Sequence, residues 1–400
     1  MPSLPFVRPM LARRIDEPHR ASTPLELLFD LCFVVAVAQL VDQWHHAIIA
    51  GEFQRGILHF GMVFFAIWWS WVNFTWFASA FDTDDVAYRI CVLVQIAGNL
   101  IIAAGVPRAF ANDDLTVLTI GYTVMRLALV TQWLRAWRAD PAHQSHAGRY
   151  ALGVTLIQIG WLLRLLLPTH IGVLAFVPLV LIEVTVPFWA ELRNRTSWHP
   201  FHIAERYGLF TLIVLGESVL GATVSFQTAV DEHQLNGPLL AIAVGALLVF
   251  FSMWWLYFDR EDGLALEHFA SQELTLRDNP FVYGYGHLFI FAFAAAVGAG
   301  VETAVDVATD HTSISSHQAS AAIAVPVTLF VISLFLLRVF LRQSGPGWPV
   351  AFGLAAVLML GTILLENPLL PLGLIAAGLV AWVVKTTNVQ SEIGPARGSP

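Results

Sequence analysis

Charge is what this 400-residue chain has least of. Only 12% of its residues are Asp, Glu, Lys or Arg, against about a quarter in a soluble domain. Hydrophobic residues make up 57%, and the mean hydropathy is +0.67. A chain so poor in polar surface cannot present a water-facing shell, so lipid is its expected solvent. Lysine occurs once, as Lys385, beside 20 arginines, which excludes a lysine-rich nucleic-acid arm at either end. There are two cysteines, Cys32 and Cys91, both inside apolar runs. They read as packing residues, and a disulfide framework is excluded. Phosphate loop, dinucleotide fingerprint, G-x-S-x-G and H-E-x-x-H are all missing, and no cofactor is implied. The first 22 residues are polar and lack an apolar stretch with a small-residue cleavage site. The first spanning helix is expected to act as its own insertion signal.

Long apolar runs are abundant instead. A span needs roughly 20 mostly apolar residues. On that measure the chain is all-α, a polytopic bundle of about twelve transmembrane helices at 24–43, 57–80, 87–106, 115–137, 149–167, 170–190, 203–224, 238–258, 281–302, 319–341, 348–365 and 369–386. The last two lie around Glu366-Asn367-Pro368 and read as two helices or one re-entrant hairpin. With both ends placed in the cytoplasm, the inner segments hold Arg8, Arg13, Arg14, Arg20, Arg89, Arg135, Arg138, Arg149, Arg193, Arg195, Arg206, Arg260, Arg277, Arg338, Arg342, Lys385 and Arg397. The outer loops hold only Arg55 and Arg108. Arg126 and Arg164 fall within helices. This is the positive-inside pattern of a multi-pass membrane protein. The outer loops carry acids instead: Asp113, Asp114, Asp231, Glu232, Glu302, Asp306 and Asp310.

The chain also reads as duplicated, with a cytoplasmic segment over 1–22, six-helix halves over 23–191 and 192–386, and a cytoplasmic tail over 387–400. The second helix ends in Phe81-Asp82-Thr83-Asp84-Asp85 and the eighth in Phe258-Asp259-Arg260-Glu261-Asp262. Both are F-D-x-acid-D at the same ordinal position of a half. Tyr88 then matches Tyr283, and Gly105-Val106 matches Gly300-Val301. Six helices per half make the repeats parallel.

Ionisable groups at membrane depth are costly, at least ~2.5–3.5 kcal/mol for Asp, Lys or Arg at a helix centre, so they are the best pointers to function. Glu26 and Asp30 share one face of the first helix. Either a cation or proton sits there, or an arginine of the fourth or seventh helix approaches. Glu26 is expected near the inner interface, partly hydrated. His202, Glu205 and Arg206 form H-x-x-E-R on one side of the seventh helix. They read as an ion site or as an interfacial anchor; two ligands from one helix are too few to define a metal site. Glu217 lies deep in the same helix with no charged neighbour in sequence, and Gly216 and Gly221 are expected to admit a second backbone. Arg126 is its candidate partner, with Glu183 competing. One arginine cannot neutralise both acids, so at least one of them is expected to hold a proton or a cation. The acidic motifs Asp82/Asp84/Asp85 and Asp259/Glu261/Asp262 read as cation attractors or as loop latches paired with inner arginines. His59, Asn73, Asn99 and His287 read as interhelical hydrogen-bonding groups.

Two segments carry a family likeness. Thr23-Pro24-Leu25-Glu26-Leu27-Leu28-Phe29-Asp30-Leu31-Cys32-Phe33-Val34 and Glu205-Arg206-Tyr207-Gly208-Leu209-Phe210-Thr211-Leu212-Ile213-Val214-Leu215-Gly216-Glu217-Ser218 match the hallmark E-L-x-F-D-L-x-F-V and E-R-x-G-L-F-T-x-I-x-L-G-E without a gap. The chain thus resembles the low-temperature-requirement protein A family of bacterial membrane proteins. That resemblance implies a polytopic membrane protein of a family named for growth in the cold; it assigns no substrate. A fainter likeness is to lysosomal-type potassium channels with two six-helix repeats. Phe29-Asp30 stands where they carry F-S-D, without the serine and without a counterpart in the seventh helix.

Three classes of function follow. The first is a transporter or channel for a cation or proton, lined by Glu26, Asp30, Glu205 and Glu217. The second is a membrane-embedded enzyme acting on lipid, and the third a structural or sensory membrane protein linked to low-temperature growth. The expected partners are the bilayer and a cation or proton.

Overall fold

The computed structural model describes residues 5–14, 17, 20–192, 196–231, 236–271 and 280–393. Glu232 and the inner arginines Arg193, Arg195, Arg277 and Arg397 lie outside the described residues. Among those described, no strand occurs, and all twelve expected helices form. They are α1 (Pro24–Ile49), α2 (Phe53–Phe81), α3 (Val86–Asn112), α4 (Thr116–Ala139), α5 (Gln144–Arg164), α6 (Thr169–Glu191), α7 (Pro200–Asp231), α8 (Gly237–Phe258), α10 (Pro280–Ala308), α11 (Ser316–Phe340), α12 (Trp348–Gly361) and α13 (Leu369–Ile393). A short helix that the hydropathy pattern does not show, α9 (Asp262–Ser271), follows α8.

Ten helices among the described residues are long and apolar enough to cross a membrane; α5 and α12 fall short. The 21 residues of α5 span ~31 Å at 1.5 Å per residue, enough for the ~30 Å hydrocarbon core. Its shortfall lies in polar residues such as Gln144, His146, Arg149 and Gln158. α12 has only 14 residues before a 3-10 turn over Thr362–Leu364. It is followed by a separate helix, α13.

Local chemistry explains where the helices start. The Asp85 side chain caps α3 by accepting the Tyr88 N–H at 2.7 Å. Asn236 caps α8 at Leu239, and Ser315 and Gln318 form a reciprocal capping box on α11. Several helices outrun their apolar segments, α1 reaching Ile49, α3 Asn112 and α13 Ile393. α7 runs on to Asp231, and α10 continues to Ala308, so Glu302 and Asp306 are helical residues and not loop acids.

Two compact units are present: residues 1–43 with 54–213, and residues 44–53 with 214–400. This division by compactness runs within α1 and α7, whereas the six-plus-six division concerns the sequence repeat. In the first unit, α3 and α4 pack most closely. A β-carbon on Gly105 would lie 2.6 Å from the Leu118 backbone nitrogen, so only glycine admits that crossing. In the second unit, α10 and α11 meet the same way, with Gly300 against the Ala322 carbonyl at 2.6 Å. There, α8 and α13 cross where a β-carbon on Gly373 would meet the Gly245 carbonyl at 2.7 Å.

Candidate functional site

The start of α1 builds the principal cluster, within the first unit. Thr23 and Glu26 cap the helix reciprocally: the Thr23 N–H donates to Glu26 Oε2 at 2.7 Å and the Glu26 N–H to Thr23 Oγ1 at 3.3 Å. This leaves Glu26 Oε1 facing Arg20 Nη2 at 3.2 Å, Arg206 Nη1 at 3.3 Å and His202 Nε2 at 3.1 Å. One turn on, Asp30 takes Arg206 bidentately, Nε to Oδ2 at 2.7 Å and Nη2 to Oδ1 at 2.6 Å. It also accepts the Trp71 indole N–H at 2.6 Å. The arginine of the seventh helix is therefore the one that approaches the pair. Arg206 does not belong with the inner-loop arginines; it is fully buried within α7.

Glu26 has no solvent exposure, which corrects the expectation of a partly hydrated interfacial acid. The reason is Arg20, from the segment before α1, which folds over it and also bonds the Ala78 carbonyl at 3.1 Å. Arg20 Nη2 lies 3.6 Å from Asp82 Oδ2 as well, and Arg13 reaches the same oxygen at 3.4 Å. Just beyond the end of α2, burial and the nearby Glu26 push the Asp82 carboxyl up to about 6, against the pull of Arg20 and Arg13. The Tyr88 hydroxyl and both ring nitrogens of His202 are buried without an aligned hydrogen bond. His202 Nε2 stands close enough to Glu26 to share a proton, although the ring is not turned into hydrogen-bond alignment.

Glu205 is placed differently from the expectation. It is exposed and accepts the Ser22 N–H at 3.0 Å. Adjacent helical residues lie about 100° apart, so when His202 and Arg206, four apart, turn inward, Glu205 turns out. Gly208, just after Arg206, is buried.

Arg126 joins Glu183 and not Glu217. It donates to Glu183 and to Tyr122, whose ring it overlies at 4.7 Å. Glu183 further accepts the Tyr122 hydroxyl at 2.6 Å and the Trp161 indole N–H at 2.8 Å. Glu217 is half-buried in α7, and no hydrogen bond or ion pair reaches it among the described residues. Nor does Gly216 receive a second backbone: its face is open, and a β-carbon there would meet nothing within 4 Å. Gly221 receives the Glu302 side chain, and Ser218 packs on Gly298 of α10.

Glu302 leads to a group that the sequence did not disclose. His45, at the end of α1 in the second unit, lies between two carboxylates of α10, Nδ1 3.5 Å from Glu302 and Nε2 2.8 Å from Asp306. A neutral imidazole has one donor nitrogen and a protonated one two. The signal in sequence is the i, i+4 spacing of Glu302 and Asp306, hidden when the helix is ended early.

The two acidic motifs are largely ion-paired. Asp84 pairs with Arg89 at 2.7 Å, and that bond holds its carboxyl below the usual range. Asp85 accepts the N–H groups of Arg8 and Tyr88 and Arg135 Nη2 at 2.5 Å. Asp262 pairs with Arg338 and accepts the Tyr283 hydroxyl at 3.3 Å. Asp259 lies 3.2 Å from Arg260, and Glu261 is exposed. Asn99 donates to the Cys32 carbonyl and His287 meets the Tyr257 hydroxyl, as interhelical bonds. No three His, Cys, Asp or Glu side chains converge as a metal set among the described residues.

Ten apolar helices long enough to cross a membrane, with buried ion pairs between helices, define a polytopic membrane protein. The model of the bacterial low temperature requirement A protein (LtrA) family matches residues 21–384, and the chain belongs to that family. A protein of Rhizobium meliloti (strain 1021), described as uncharacterized protein RA0937, is 28% identical over 287 residues, covering 69% of this chain and 68% of that one. No solved structure matches.

Proposed function

We propose that this LtrA family member is a proton- or cation-linked transporter or channel whose working groups are the carboxylates left without full compensation. One observation carries the reading: the enclosed acids outnumber their arginines. Arg20 and Arg206 face Glu26, Asp30 and Asp82, and Arg13, which also reaches Asp82, is shared with Glu17. Arg126 is taken by Glu183, and Glu217 has no partner among the described residues. A carboxylate cannot stay charged in a low-dielectric interior without compensation, so protons or cations fill the deficit.

On this reading Asp30 and Glu183, each held by an arginine and an indole, are scaffold. Glu26, Asp82 and His202 exchange a proton at the end where the chain enters α1, and Glu217 binds one at mid-helix. Glu205, exposed, serves as an anchor. The parallel six-helix repeat and the cytoplasmic placement of both ends belong to the same proposal.

The test is flux into liposomes holding the purified protein, read by a pH-sensitive dye and by cation tracers. Wild type is expected to pass protons or a monovalent cation under a gradient, and Glu217→Gln to lose most of that flux at unchanged abundance. Unchanged flux in Glu217→Gln removes that residue from the mechanism. A wild type that moves no ion or small solute under any gradient overturns the proposal.

A further inference from the structure

The charged clusters do not account for the groove between α12 and α13, in the second unit. It has a volume of about 600 Å³, walled by Leu354 and Leu358 on one side and Ile375, Gly378, Leu379 and Trp382 on the other. At one end it opens into a mouth of about 360 Å³ where Trp348, Trp382 and Lys385 meet. Volumes of ~300–1,000 Å³ are those of sites that enclose small molecules. The groove floor is open because Gly378 carries no side chain, and a β-carbon there would meet nothing within 4 Å. Its rim is apolar and exposed: Val350, Leu354 and Val357 are 74%, 58% and 68% exposed.

Polarity is confined to the mouth. Lys385, the sole lysine of the chain, is exposed, and no ion pair or hydrogen bond reaches it among the described residues. The Trp382 indole N–H, three residues earlier on the same face, is likewise without a partner among them. Arg260 lies beside them, stacked over Trp348 at 5.5 Å and bonded to Thr387 Oγ1 at 2.8 Å. Asp259 offsets its charge at 3.2 Å, which leaves Lys385 as the uncompensated cation. The apolar part of α13 runs over 19 residues, Leu369–Thr387, about 28 Å. Lys385 therefore sits in the last turn, at the depth where headgroups lie and a lysine stem can extend to them. An occupant must be apolar along its length, anionic at one end and supplied from the bilayer.

We propose that the α12–α13 groove is a binding site for one anionic phospholipid, an acyl chain lying along Gly378 and the phosphate held by Lys385 and the Trp382 N–H. A basic residue at the surface favours an anionic headgroup, and tryptophan there supplies an apolar ring with one donor.

The experiment is native mass spectrometry of the purified full-length protein, after exchange with equal amounts of phosphatidylglycerol and phosphatidylcholine of identical acyl chains. Wild type is expected to retain one lipid per chain with phosphatidylglycerol preferred, and Lys385→Gln to reduce that preference about fivefold while still retaining a lipid. Gly378→Phe, which fills open space, is expected to retain neither lipid. Gly353→Phe, equally unobstructed but outside the groove lining, is expected to behave as wild type. Equal retention of the two lipids by wild type, or retention unchanged in Gly378→Phe, overturns the proposal. So does a wild-type dimer that Gly378→Phe converts to monomer without a change in lipid, because a second copy then fills the groove. None of these outcomes depends on flux.

Discussion

At the scale of single residues, the decisive distinction is between carboxylates that have an arginine and those that do not. Glu183 has Arg126, Tyr122 and Trp161 around it and is almost fully buried. Removing one member of such a pair leaves a charge in oil, which typically costs about 3–5 kcal/mol. Arg126→Ala is therefore expected to lower the thermal unfolding midpoint in detergent markedly, and Arg126→Ala with Glu183→Gln to recover much of the loss. Asp82 gives a prediction in pH. Its carboxyl is raised to about 6 from an ordinary 3.8, so the folded state holds that proton more tightly than the unfolded one. The protonated form's advantage is fully present below the ordinary value and lost as pH rises through 6. Wild type should thus gain stability on acidification from pH 7 to pH 4.5 relative to Asp82→Asn, by about 2 kcal/mol. A pH-independent difference between the two proteins would show that Asp82 is not the titrating group. The pairs themselves are legible in part. The cost of burying charge singles out Glu26, Asp30, Glu183 and Glu217, and demands partners. It does not say which arginine meets which acid, because that depends on how the helices are placed. Arg20 reads as one more interfacial basic residue, since nothing in a polar leader announces that it folds back over α1.

At the scale of elements, the two F-D-x-acid-D motifs are followed by the same construction in each unit. Asp85 is held by Arg135 at the end of α4, and Asp262 by Arg338 at the end of α11. α4 and α11 are the fourth long helices of the two proposed halves. α3 ends on Asp113 and α10 is followed by Asp310, both in the left-handed region with φ of 54° and 57°. Gly105 and Gly300 sit against the backbones of α4 and α11. We take these agreements as support for the duplication. Compared in sequence, the fourth helices show no match, because a single arginine among apolar residues carries too little signal. If the constructions are equivalent, their glycines respond alike. Gly105→Ala and Gly300→Ala each place a methyl 2.6 Å from backbone atoms, and each is expected to destabilise by about 1–3 kcal/mol. Gly216→Ala enters open space and should stabilise its helix by roughly 0.5–1 kcal/mol. The three variants are compared by thermal unfolding in one detergent. Tolerance of Gly105→Ala alongside a loss in Gly300→Ala would separate the two crossings.

At the scale of the whole molecule, the number of crossings decides on which side each charged loop lies. Hydropathy alone makes the twelve helices legible, since a run of twenty apolar residues needs no tertiary information. It does not find α9, ten residues long, or the early end of α12, where length and not composition is the limit. The helix on which the count turns is α5. Its composition is below that of the other spans, yet the Gln158 amide bonds Thr123 of α4 at 2.7 Å, and Tyr150 and Trp161 are buried. An amide bonded to a neighbouring helix no longer needs water, so α5 is suited to cross although its sequence reads as marginal. Parity turns this into a measurement. In a protein with Cys32 and Cys91 replaced by Ala, single cysteines at the exposed positions Ala142, Glu261, Asn112 and Ser313 are treated with a membrane-impermeant maleimide on intact cells. If α5 crosses, Asn112→Cys and Ser313→Cys label while Ala142→Cys and Glu261→Cys stay protected. If it does not, every loop after α6 changes side: Glu261→Cys labels and Ser313→Cys is protected, with Ala142→Cys and Asn112→Cys unchanged. The arginines favour the first outcome, because the second would carry Arg260 and Arg338 outside together with Asp259 and Asp262, against the bias that sorts basic residues to the cytoplasm.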